Sequence, residues 1–192
     1  MEHKGTVRIE TERLVLKRHV LEDAEIMFNN WVTEKEVTKF LSWQPHENVE
    51  ETRRLLSDWI ASYEKPDFYF WTMELKESHE LVGDISVVNL DEATESVELG
   101  YGIGSRWWGK GITAEAGKAL VTFFFEEVKA KRVYAKHAAG NPNSGRVMQK
   151  IGMKKEGIIR QSGRCNQGIV DEVYYSILRD EYFGIGTESR TE

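Results

Sequence analysis

The stretch that decides the fold is Arg106-Trp107-Trp108-Gly109-Lys110-Gly111, set between a strand-like run that ends at Ile103 and a long apolar helix that opens at Ile112. Two closely spaced glycines ahead of a helix leave several backbone N–H groups without intrahelical partners and set the positive end of the helix dipole beside them. Such a turn is a socket for an anion, and a phosphate chain suits it.

Two common phosphate motifs fail here. Gly104 through Lys110 fills the first seven positions of G-x-x-x-x-G-K-S/T, but Gly111 stands where a magnesium-binding hydroxyl is required. No apolar strand ending in a lone Asp supplies the metal's second anchor, and both failures argue against nucleoside triphosphate hydrolysis. Gly100, Gly102 and Gly104 give G-x-G-x-G and not the dinucleotide fingerprint G-x-G-x-x-G.

The 192 residues suit one domain with a substantial core, and neither a repeat nor a linker divides them. No apolar run approaches the ~18 residues of a membrane span. The polar start Met1-Glu2-His3-Lys4-Gly5 lacks the apolar core of a secretion signal, so a cytoplasmic enzyme is expected. The single cysteine, Cys165, rules out an internal disulfide. A net charge of −6 argues mildly against nucleic acid and suits a cationic, amine-bearing partner. The five histidines lack metal-ligand spacing, so no metal is expected.

Along the chain, periodicity predicts a strand over 13–17, helices over 21–32 and 49–63, and strands over 68–76, 81–90 and 96–103. A helix follows from Ile112 to about Val128, with Ile112, Ala116, Leu120, Phe123 and Phe124 on one face. A strand over 132–137, a short helix and strands over 154–160 and 170–178 complete a mixed α/β (α+β) order. The short helix has a candidate cap in Asn141, proline at its first position and Gly152 to close it. Residues 1–6 and 184–192 are expected as loose tails around a domain spanning 7–183.

Within 96–103, Val97, Leu99, Tyr101 and Ile103 alternate onto one face and leave Glu98, Gly100 and Gly102 on the other. Glycines inside a strand mark a bulge or the close approach of a ligand. Glu98 therefore lies on a glycine-lined face, where the plain reading is an ion-paired or solvated carboxylate.

Taken in order, four segments resemble the GNAT superfamily of N-acetyltransferases over about Val7 to Phe183, and within it the RimJ/RimL-like branch, which acetylates N-terminal amines of ribosomal proteins. They are Glu12-Arg13-Leu14-Val15-Leu16; Glu98-Leu99-Gly100-Tyr101; Arg106 to Gly111 followed by Ala114-Glu115-Ala116; and Asn141-Pro142-Asn143-Ser144 leading to Gly152-Met153. Arg106, Gly109 and Gly111 fill the fixed positions of the superfamily's R/Q-x-x-G-x-G/A loop. The resemblance implies the GNAT fold: a mixed, mostly antiparallel sheet of about seven strands, helices on both faces, and the fourth and fifth predicted strands splayed for acetyl-CoA.

The same resemblance implies the site. The backbone of Tyr101, Gly102 and Ile103 would pair with the pantetheine arm. Arg106 and the N–H groups of Trp108, Gly109, Lys110, Gly111, Ile112 and Thr113 would hold the pyrophosphate. Glu98 would take a proton from the acceptor, because an N-terminal amine titrates near ~8 and a lysine near ~10 and only the neutral amine attacks. A backbone N–H near Leu99 to Tyr101 would hold the carbonyl oxygen. Ser144 would protonate or hydrogen-bond the departing thiolate, since Met148 stands where many relatives carry a tyrosine; its alternative is a plain helix cap. Asn141 stands between cap and pantetheine contact.

The implied activity is direct acetyl transfer from acetyl-CoA to a primary amine in a ternary complex, possible acceptors being a protein N-terminus or a small molecule such as an antibiotic, polyamine or amino acid. A non-catalytic acyl-CoA-binding module is the alternative from another class. Neither nucleic acid nor membrane is expected as a partner, and the chain is expected as a monomer or homodimer. Cys165 and His137 read as packing residues. Trp31, Trp43, Tyr69 and Trp71 are either core or acceptor walls, with core the stronger reading.

Overall fold

The computed structural model describes residues 1–185. Its frame is one eight-stranded sheet: β1 (Ile9–Glu10), β2 (Leu14–Lys17), β3 (Phe70–Leu75), β4 (Leu81–Asp91), β5 (Ser96–Ile103), β6 (Arg132–Ala138), β7 (Lys154–Cys165) and β8 (Gly168–Leu178). The spatial order is β1-β2-β3-β4-β5-β6-β8-β7. Every pairing is antiparallel except that of β5 with β6. This is the expected mixed, mostly antiparallel sheet of about seven strands, with β1 added as a two-residue edge strand too short to show a period. The hairpin of β7 and β8 also runs farther toward its tip than predicted.

The parallel join interrupts the antiparallel ladder. β5 and β6 pair only at Ser96–Arg132, Val97–Val133 and Glu98–Tyr134, and then part. The bulge expected in β5 lies in its neighbour: β4 slips between Val87 and Asn89, opposite Leu99 and Glu98. Val88 is the extra residue, and a β-carbon on Gly100 would come to 2.5 Å from its Cγ1. Gly100 is thus small because the bulged side chain lies on it.

Helices cover both faces. On one lie α4 (Ile112–Glu126) and α5 (Pro142–Ile151). The predicted face of α4 is buried, but so are Val121 and Phe125, because α5 and the short α6 (Arg179–Tyr182) close over its far side. The main core, with Trp71, Ile85, Leu99, Leu120 and Phe124, fills this layer. At roughly 25 cal/mol per Å² of apolar surface, each large side chain buried there contributes about 1.5–3 kcal/mol.

The other face carries α1 (Ala24–Met27), α2 (Lys35–Thr38) and α3 (Val49–Ser62), with a smaller core of Met27, Trp31, Val32 and Leu56. The single helix expected over 21–32 is a composite: a 3-10 turn, α1, then a π-helical turn over Phe28–Val32. Trp31, Tyr69 and Trp71 are core residues, while Trp43 packs half-buried at the edge of the smaller core.

Residues 1–6 are tied down, contrary to the expectation of a loose tail. Glu2 N–H donates to Val128 O at 2.7 Å and Gly5 N–H to Pro66 O at 2.7 Å. The buried Thr6 hydroxyl donates to Phe68 O at 2.9 Å. At the other end Gly184 and Ile185 bond back to α6, and the rest of the expected tail, 186–192, lies outside the described residues.

Candidate active site

The loop over 104–111 enters through a 3-10 turn, Ser105–Trp107, and reaches α4 through two left-handed glycines, Gly109 at φ 76° and Gly111 at φ 77°. A side chain there costs roughly 1–2 kcal/mol. Trp107 and Trp108 donate their N–H groups back to Gly104 and Ser105. Among the described residues, none of the next six, from Gly109 to Ala114, finds a protein acceptor for its N–H. They line the start of a fifteen-residue helix.

A residue pair from opposite parts of the chain fixes this turn. Glu115, in the first turn of α4, accepts from Thr11 Oγ1 at 2.6 Å, Arg13 N at 2.9 Å and Arg13 Nε at 2.6 Å. Arg13 also donates to Lys110 O at 3.1 Å. Burial pushes the Glu115 carboxyl up, but the Thr11 and Arg13 bonds outweigh it and hold it below the usual range. In the sequence Arg13 is legible only as part of a strand segment, because its partner 102 residues away leaves no local signal.

Arg106 shares one cleft with Lys110 and Ile112 of the N–H cradle. Its guanidinium lies 3.0 Å from Glu80 and stacks over Trp107 at 5.1 Å, lining a cleft of about 570 Å³ with Arg13, Lys76 and Glu80. The Trp108 indole donates to Ile103 O at 2.9 Å. Thr113 is buried at the helix start.

Beside this cradle runs the open edge of β5. Gly104 N–H bonds Val82 O at 3.0 Å, so by the alternation of an antiparallel ladder Gly102 and Gly100 turn their backbone groups to β4. Tyr101 and Ile103 turn theirs to the gap left by β6. Of the three residues expected to offer backbone bonds, Gly102 instead contributes bare space: a β-carbon there would find only Leu41 Cδ1, at 4.0 Å.

Across the sheet, Glu98 sits in a row with Asn89 and Tyr134, its cross-strand partners. It is buried, with its side chain 10% exposed, and Lys136 Nζ lies 3.8 Å from its carboxylate and 3.5 Å from Glu172. Burial pulls the Lys136 ammonium down, but the two carboxylates outweigh it and hold it above its ordinary range. Two carboxylates around one ammonium leave this face net negative.

Asn141 holds the N-cap position of α5, but its side chain makes no capping bond. Ser144 Oγ lies 2.8 Å from Tyr101 Oη, and among the described residues it takes no backbone N–H at the helix start. His137 is buried beneath α5 beside Gly145, with Nδ1 2.8 Å from Ala138 O. Cys165 is buried at the end of β7.

Sequence reasoning missed the wall facing Gly102. The β7–β8 hairpin tip reaches the loop after α2: Asn166 N–H donates to Leu41 O at 3.1 Å and its amide to Thr38 O at 2.9 Å and Trp43 O at 2.7 Å, while Gln44 donates to Asn166 Oδ1 at 2.6 Å. Ser42, Gln44, Arg164, Cys165, Asn166 and Gly168 line a cleft of about 450 Å³ there. Among the described residues no helix is long and apolar enough to cross a membrane.

Comparison with known proteins agrees with this geometry. The chain is 29% identical over 177 residues to a protein of Bacillus licheniformis named "Uncharacterized N-acetyltransferase p20", covering 91% of this chain and 97% of that one. It is 28% identical over 160 residues to the ribosomal protein uS5-alanine N-acetyltransferase of Escherichia coli, covering 79% and 80%. The crystal structure of a GNAT-family acetyltransferase from Bacillus anthracis superposes with a TM-score of 0.79 at 26% identity, covering 91% and 99%. The family model for the acetyltransferase (GNAT) domain matches residues 13–154: the chain belongs to the GNAT family of N-acetyltransferases.

Proposed function

We propose that this chain moves an acetyl group from acetyl-CoA to a protein N-terminal amine by direct attack in a ternary complex, within one domain. One observation carries the donor reading: six consecutive unpaired N–H groups, Gly109 to Ala114, open a long helix beside the place where β5 and β6 part. An array of this kind suits a pyrophosphate and costs nothing to organise on binding. The residues therefore fit the CoA group, with Gly109 and Gly111 keeping the cradle bare. Acetyl-CoA supplies an acetyl group activated as a thioester.

The protein's own residues do the rest. Tyr101 and Ile103 offer backbone groups along the open edge, and the Tyr101 N–H is a candidate donor to the carbonyl oxygen. Glu98 accepts the acceptor's proton, directly or through water. Lys136, 3.8 Å away, holds that carboxylate in orientation. Ser144 hydrogen-bonds the departing thiolate, while Asn141, its side chain not spent on capping, is available to the pantetheine arm.

A peptide acceptor is favoured by the cleft at the hairpin tip. Ser42 and Gln44 present a hydroxyl and an amide of the kind that pair with an extended backbone, on a wall that Asn166 braces from behind, and the net negative face around Glu98 attracts a protonated terminus. The uS5-alanine specificity in the name of the Escherichia coli relative points the same way.

A CoA thiol-release assay over a panel of peptides, aminoglycosides, polyamines and amino acids tests the proposal. Release with peptides bearing free N-termini, abolished by N-terminal blocking, is expected. Release only with small amines overturns the acceptor assignment. Tight acetyl-CoA binding without release for any amine makes the chain a binding module and overturns the whole reading.

A further inference from the structure

Among the described residues, no backbone pairing joins β5 to β6 beyond Glu98 and Tyr134. One side-chain link spans the opening from β5 to α5: Tyr101 Oη lies 2.8 Å from Ser144 Oγ and 3.1 Å from the Ser144 carbonyl. The phenol therefore has two acceptors on one residue, and that residue is the one proposed to meet the leaving thiolate.

We infer that Tyr101 is a positioning residue for the leaving group, its phenol turning the Ser144 hydroxyl toward the sulfur by switching which of the two Ser144 oxygens it donates to. The inference rests on the acetyl-transfer reading above. A hydroxyl has one proton and two lone pairs. When Tyr101 donates to the Ser144 carbonyl, the Ser144 proton is free to rest on Tyr101 Oη and is lost to the sulfur. When Tyr101 donates to Ser144 Oγ, the Ser144 proton must point elsewhere, and the open gap is where the thioester would lie. The two arrangements differ by rotation of two O–H bonds, with no heavy atom displaced.

Negative charge growing on sulfur selects the second arrangement, because each bond in a chain of hydroxyls polarises the next. Both oxygens keep their protons throughout. Burial pushes the Tyr101 phenol up, out of reach of ionisation at neutral pH, though the Ser144 bond opposes it. The device is thus a hydrogen-bond relay and not a proton donor, and the thiolate leaves hydrogen-bonded. A phenylalanine would fill the same volume, so packing alone does not call for the hydroxyl.

The test is a double-mutant cycle on Tyr101→Phe and Ser144→Ala, with kcat and the KM for acetyl-CoA measured on the peptide acceptor that gives the greatest thiol release. Calorimetric acetyl-CoA binding and thermal melts establish that each variant is folded. Tyr101→Phe should lower kcat about tenfold, the loss expected for one hydrogen bond between neutral hydroxyls, and leave KM within about twofold. In the Ser144→Ala background the same change should cost nothing further, because the relay has lost its end. Losses that multiply, a loss confined to KM, or turnover equal to wild type overturns the inference alone. Wild-type protein that releases no thiol with any amine overturns the acetyl-transfer reading and this inference with it.

Discussion

His19 should make the stability of this protein fall steeply in mild alkali. The residue is 2% exposed, with Nε2 2.7 Å from Asp84 Oδ1 and Nδ1 3.2 Å from Asp23 Oδ2, and its ring lies against Trp59 and Phe70. Asp84 also accepts from the Trp31 indole at 3.0 Å. Burial alone pulls the imidazolium down, but the Asp84 and Asp23 carboxylates outweigh it and raise it from 6.5 to about 9. A folded value above the unfolded one means that the stabilisation is fully present below pH 6.5 and is lost as pH rises through about 9. At ~1.36 kcal/mol per pH unit the interval corresponds to about 3 kcal/mol. That is a large fraction of the roughly 5–15 kcal/mol of a typical domain. Urea unfolding of wild type and His19→Gln at pH 6.5 and pH 10 isolates the term, because the other alkaline titrations are common to both. The wild-type advantage should shrink by about 3 kcal/mol between the two conditions. An advantage that is constant with pH would mean that His19 is neutral in the fold and refute the ion-pair argument. Asp84 is the register partner of Gly102, so transfer rates above pH 9 carry this loosening as well as the chemistry.

Three further perturbations separate the parts of the site. Glu98→Gln should cost about 100-fold in kcat at pH 7 and recover as pH rises and the free amine becomes abundant; a rate–pH profile parallel to wild type rejects the base role. Gly111→Ala forces a β-carbon onto a φ of 77°, so scanning calorimetry should show a loss of roughly 1–2 kcal/mol together with weaker acetyl-CoA binding, and an unchanged melt with unchanged affinity would deny the left-handed turn its role. Arg13→Ala removes the hold on Glu115 and Lys110 O. Its half-exposed pair contributes less than about 1 kcal/mol to stability, yet titration calorimetry should show acetyl-CoA affinity falling several-fold, and undiminished affinity sinks the clamp.

Wherever a structural demand falls on neighbouring residues, the sequence carries it openly. The glycines at 109 and 111, the alternation of Val97, Leu99, Tyr101 and Ile103, and the proline and glycine that bracket α5 are each local, and each stands where it was read. Long-range demands are hidden. The bulge belongs to β4 and not to β5, because the glycine that permits it and the valine that makes it are twelve positions apart on paired strands. The Arg13–Glu115 clamp, the Tyr101–Ser144 link and the Asn166 bridge to the loop after α2 join residues 43 to 128 positions apart. The pinned N-terminus escaped for the same reason, its partners being Pro66, Phe68 and Val128.

That division explains why the donor is so much easier to name than the acceptor. The donor side is made of backbone, and backbone binding needs left-handed turns, a helix start and a strand edge, which restrict the residues that can encode them. The acceptor side, on the proposed reading, is made of side chains: Glu98 from β5, Lys136 from β6, Glu172 from β8, Leu41 from the loop after α2 and Asn166 from the hairpin tip. No two are adjacent in sequence, and none carries the turn geometry of the cradle, so each can change without disturbing it. Specificity for the amine is therefore free to drift while the acetyl-CoA cradle stays fixed. A shared loop predicts a shared donor, and the acceptor has to be read from the charges and hydrogen-bonding groups that surround Glu98.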